Sequence, residues 1–169
     1  MDTIKKDIEL SLLFVPPFKG GGMEIFMEND TIHLLKECDA GAKMAISSID
    51  EILEKVCDEN LKELLQKSKH QHKKLCEEIH TLLLQQKSDG EEPNPMAKSM
   101  SWLKTNFKMV MNSCDATIAD LITDGCNMGV KSLHKYLNQY QAADDTSKNI
   151  CKHLALIEED LCQQIRCYL

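Results

Sequence analysis

From Asn29 onward, apolar residues recur in steps of three and four, the spacing that places side chains on one face of an α-helix, and four such runs can be traced. Helix A, over about 30–57, opens on the capping residue types Asn29-Asp30-Thr31; its seam is Leu35, Ala42, Ile46, Ile49, Leu53 and Val56, with Asp39 beside them. Helix B, over about 59–87, carries Leu61, Leu64, Leu75, Ile79 and Leu82, and here two polar residues, Ser68 and His72, take seam positions. Turn residues follow from Ser88 to Pro95. Helix C, over about 96–141, runs through Met100, Leu103, Phe107, Val110, Cys114, Ile118, Leu121, Met128, Leu133 and Leu137, with Asp124 in mid-pattern. Helix D, over about 146–169, turns Ile150, Leu154, Ile157, Leu161 and Ile165 inward, with Glu158 next to them. Residues 29–169 therefore predict one all-α domain, an antiparallel four-helix bundle.

Residues 1–28 predict a poorly structured extension, because Pro16, Pro17 and Gly20-Gly21-Gly22 break any helical pattern. The apolar run Leu10–Val15 is short and flanked by Asp7 and Glu9, unlike a secretory leader. Lys19-Gly20-Gly21-Gly22 can be encoded by a purine-rich ribosome-binding site, which makes Met23 or Met27 the expected natural start.

The chain also repeats itself. Gly41-x-x-Met44-Ala45-Ile46-x-Ser48-Ile49-x-x-x-Leu53 matches Gly125-x-x-Met128-Gly129-Val130-x-Ser132-Leu133-x-x-x-Leu137 at an offset of 84 residues. Leu75-Cys76-x-x-Ile79-x-x-x-Leu83 matches Leu161-Cys162-x-x-Ile165-x-x-x-Leu169 at an offset of 86. A duplicated hairpin paired with its copy gives a four-helix bundle with a pseudo-two-fold axis.

A net charge of −7 and the lack of a basic stripe interleaved with aromatics argue against nucleic acid and anionic membrane as partners. Eight cysteines without a CxxC, most of them inside predicted helices, read as reduced core thiols of a cytoplasmic protein, with Cys162 and Cys167 the expected exposed pair. The methionines, at helical spacing, read as core filler and His70 as a solvent-facing residue.

Paired hairpins, a polar B–C connection, the acid and small residues Glu37-x-x-Ala40 before Met44, their echo in helix C, and inward polar residues on helices B and D resemble the ferritin-like superfamily, in particular small bacterial proteins related to rubrerythrins. Di-iron members of that superfamily place one Glu on each of helices A and C and an ExxH on each of helices B and D, all aimed into the bundle. The resemblance implies Glu37 as the helix A ligand, with Asp39 its rival, then His72, Asp124 and Glu158. Lys69 stands where the helix B glutamate belongs, and the helix D register reads Ala155-x-x-Glu158. Glu77-x-x-His80 is an intact ExxH two turns further on, a second candidate pair, yet its repeat partner is Gln163-x-x-Arg166.

Four plausible ligands fall short of the six that a two-metal site needs, though they suffice for a single Fe, Mn or Zn ion. The plainer expectation is a residual polar network and a non-catalytic bundle that acts by self-association or through a protein partner, with Trp102, Leu103 and Phe107 as the first surface to test. The alternative is a metal-binding protein that handles iron or detoxifies peroxide. No phosphate-cradling glycine loop or nucleophile elbow occurs in the chain.

Overall fold

The computed structural model describes residues 21–86 and 114–169, and among these it contains four α-helices and no strand. They are α1 (Gly21–Ile52), α2 (Glu59–Gln85), α3 (Asp115–Gln139) and α4 (Asp145–Ile165), with 3-10 turns at Leu53–Lys55 and Arg166–Tyr168. The described residues are all-α, with their helices packed around apolar clusters. None of the described helices is long and apolar enough to cross a membrane.

Two boundaries differ from the sequence reading. Helix A starts at Gly21, not near residue 30, because the helix-favouring run Met23–Glu28 carries the turn back into the glycines, where a first turn loses little. Asp30 and Thr31 thus lie inside α1, and they cap another part of the chain: Ala142 N donates to Asp30 Oδ2 at 2.9 Å and Asp144 N to Thr31 Oγ1 at 2.9 Å. Helix C does not run unbroken through Cys114. That residue is extended, its carbonyl accepts from Thr117 N and Ile118 N, and α3 begins at Asp115. The expected portion from 96 to 113, with Trp102, Leu103 and Phe107, lies outside the described residues, as do residues 1–20.

Asp115 fixes the start of α3 through its side chain. Its carboxylate accepts from Cys57 N at 2.9 Å and Asp58 N at 2.8 Å, closing the α1–α2 turn, while Asp58 caps α2 by accepting from Leu61 N. The α3–α4 turn is built the same way: Asp144 caps α4 by accepting from Ser147 N, and Thr31 holds Asp144 N. Thr31 and Asp115 are 84 residues apart and Asp58 and Asp144 are 86 apart, the offsets of the sequence repeat. Each half thus clamps the other's turn.

The core forms two clusters along the helices. Ile49, Ile52, Leu61, Leu65, Ile118, Ile122, Leu161 and Ile165 pack at one end. Leu34, Leu35, Leu75, Ile79, Leu133, Ile150 and Leu154 pack at the other. Each such side chain, removed from water, stabilises the fold by about 1.5–3 kcal/mol. Between the clusters, at the level of Ser68 and His72 on α2, Gly129 on α3 and Glu158 on α4, the apolar layer is interrupted.

Candidate functional site

His72 and Glu158 meet in that interruption. The His72 ring is fully buried and Glu158 is 8% exposed. His72 Nε2 lies 3.1 Å from Glu158 Oε1, and Nδ1 lies 2.8 Å from the Ser68 carbonyl oxygen. A carbonyl only accepts, so Nδ1 carries a hydrogen, and the other ring nitrogen shares a proton with the carboxyl group. Burial disfavours the charged ring, but the hydrogen bond to Glu158, its negative charge and the Ser68 carbonyl together outweigh this and hold the His72 pKa above its ordinary value.

On the other side of Glu158, between α1 and α3, is a half-open cavity of about 220 Å³. Gly41, Met44, Ala45, Ser48 and Ile49 form its α1 wall, and Gly125, Met128, Gly129, Ser132 and Leu133 form its α3 wall. These ten residues are five equivalent pairs of the repeat, so the cavity lies where the two copies face each other. Leu154, Glu158 and Leu161 of α4 line it as well. Small side chains create the space: a Cβ at Gly125 would meet nothing within 4 Å, and one at Gly129 would come 3.5 Å from Glu158 Cδ. Met128, expected in the core, is instead 47% exposed beside this opening.

Two further groups tune the cavity. Burial, then the charge of Glu37 and a hydrogen bond to it, push the Tyr136 phenol up to about 12. Burial, followed by the charge of Glu158, pushes the Cys126 thiol well above its ordinary range, so it stays a thiol. Neither group supplies an ionised nucleophile at neutral pH.

The sequence-predicted ligands are only partly brought together. His72 touches Glu158, and half-buried Glu37 lines the same cavity as Glu158. Asp39 instead pairs with Lys43 at 2.7 Å. Asp124 is exposed and, although Ile122 and Gly125 on either side of it line the cavity, does not line it itself. Glu77 and His80 are both exposed on α2. Lys69, in place of the helix B glutamate, reaches Asp50 of α1. Among the described residues no group of three or more His, Cys, Asp or Glu side chains is placed to hold a metal ion. Both His72 nitrogens already have protein partners. The side chains present therefore do not fit the two-metal centre that the resemblance implies.

The cysteines also depart from expectation, at Cys57, Cys114 and Cys162. All eight are free thiols; Cys167 is exposed but Cys162 is buried, and the other exposed thiols are Cys57 and Cys114. Cys162 faces inward because it shares the α4 face of Glu158 and Leu161. Sequence reasoning missed the cavity and the Asp115 clamp. The repeat offsets were the signal for both, since the cavity lies between equivalent residues and the Asp115–Asp58 contact is the counterpart of Thr31–Asp144 in the other half.

No family model, curated protein or solved structure matches this chain.

Proposed function

We propose that the protein is a non-catalytic, cytoplasmic ligand-binding bundle, with its two hairpins paired antiparallel in the ferritin-like manner, and that it holds a small molecule in the cavity between α1 and α3. The cavity itself carries this reading. Among the described residues this space between α1 and α3 is left unfilled, which costs stability in proportion to its volume, although a Cβ at Gly125 would meet nothing within 4 Å. A buried carboxyl group at its edge, fixed in place by His72, gives the space a polar anchor of the kind that orients ligands. Eight free thiols suit a reducing compartment.

Thermal unfolding with a panel of six-membered-ring compounds tests the reading. Ligands that raise the midpoint of the wild type and leave Gly129→Leu unmoved support it. Equal shifts in both proteins would place binding elsewhere and overturn it.

A second reading, self-association, is favoured by one observation. Ile25, Phe26 and Met27, near the start of α1, are 61%, 69% and 47% exposed. Light scattering of Phe26→Ser beside the wild type separates the two readings: loss of a dimer supports association through this segment, and a wild-type monomer rules it out.

A further inference from the structure

We propose that the cavity selects a small organic cation, a primary ammonium group on a compact apolar body, and that Glu158 holds its charge. This rests on the reading of the cavity as the binding site. The ionisable side chains that line it are Glu37 and Glu158, with the neutral Cys126 and Tyr136; among the described residues no Lys, Arg or His lines it. An anion entering would meet the carboxyl groups of Glu37 and Glu158, and the one cationic partner, His72, stands outside the cavity already engaged on Glu158 Oε1, a costly arrangement away from bulk water. A cation meets the opposite case.

Geometry narrows the class further. A carboxylate offers about four acceptor positions; His72 occupies one on Oε1 and the Cys126 thiol donates to the same group, so capacity remains for two of the three donors of an ammonium. The α3 backbone at Gly129 lies close over this carboxyl group, where an added Cβ would come 3.6 Å from Oε1, so a head group beside it must be slender. Met44, Ile49, Met128 and Leu133 supply apolar walls for the body of the molecule. At about 220 Å³ the cavity is smaller than the roughly 300–1,000 Å³ of drug-sized sites, so the body is a single ring or a short branched chain. Ser48 Oγ donates to the Met44 carbonyl at 2.8 Å, so its oxygen stands on the α1 wall as an acceptor.

Calorimetric titration of the full chain at neutral pH with cyclohexylamine, cyclohexanol and cyclohexanecarboxylate, three molecules of one shape and different charge, tests the class. The expected order is amine first, at least about tenfold tighter than the alcohol, with the carboxylate not bound. Glu158→Gln is expected to lose about tenfold for the amine and little for the alcohol. Should that variant not fold, Glu37→Gln reads the same charge preference at the cavity wall. If the alcohol or the carboxylate binds as tightly as the amine and Gly129→Leu abolishes it, the cavity is the site and the cationic class is wrong. If no compound binds, or Gly129→Leu changes nothing, the cavity reading fails and this inference with it.

Discussion

His72 and Glu158, 3.1 Å apart between Nε2 and Oε1, occupy equivalent positions of two repeated hairpins, 86 residues apart in the chain. The pair thus sits where the halves of the molecule face each other, and one half supplies the base while the other supplies the acid. Removal of the ring alone leaves a buried carboxyl group without its partner. His72→Ala is expected to cost about 3 kcal/mol in denaturant unfolding, while the double variant His72→Leu/Glu158→Leu recovers much of that loss.

The same pair sets a pH dependence. The folded-state pKa of His72 is raised, so its contribution to stability is fully present below the unfolded value of about 6.5 and is lost as pH rises through the folded value. Unfolding free energy is expected to fall as pH rises above the unfolded value of about 6.5 in the wild type, with a shallower fall in His72→Gln. Superimposable profiles for the two proteins would show that the pair does not share a proton as described.

Asp115 joins the start of α3 to the α1–α2 turn through two backbone donors, Cys57 N and Asp58 N. Asp115→Ala strips both of their acceptor and is expected to cost about 2 kcal/mol, with Asp115→Asn recovering part of it. Thr31→Val, which removes the single acceptor of Asp144 N, is expected to cost about 1 kcal/mol. Urea unfolding monitored by circular dichroism measures both, and a loss at Thr31 larger than at Asp115 would contradict the two-bond assignment.

Thiol labelling reads the burial pattern directly. Cys57, Cys114 and Cys167 are exposed, and hydrogen bonds from Thr117, first from its side chain and then from its backbone, hold the Cys114 pKa below its ordinary value. In the native protein Cys114 is expected to react fastest with a maleimide at neutral pH, and Cys38, Cys126, Cys151 and Cys162 only after unfolding. Peptide mapping of a short labelling pulse checks the order; early modification of Cys162 would contradict its inward placement.

Much of the fold was legible because apolar spacing reports which face of a helix is buried. The α4 residues Ile150, Leu154, Ile157, Leu161 and Ile165 are all in the core, and so is Glu158 among them. The same pattern put His72 on the α2 seam, and the repeat paired it with Glu158. What periodicity could not give was the separation between α1 and α3. A run of Gly, Ala and Ser at helical spacing reads equally as a close helix contact or as the lining of a gap, and only the packing of four helices decides which. Likewise, Asp30 and Thr31 have the chemistry of helix caps, but which helix a capping side chain serves depends on contacts more than a hundred residues away.

The most direct test of the cavity as the working site is an NMR titration of ¹³C-methyl-methionine protein with cyclohexylamine, because Met44 and Met128 stand on its two walls. The expected result is saturable movement of these two methyl signals, with contacts from both to the ligand ring and no change in Gly129→Leu. Contacts in the free protein between these methyls and the chain's own Trp102 or Phe107, with no response to the amine, would show a cavity filled by the protein itself and contradict the account.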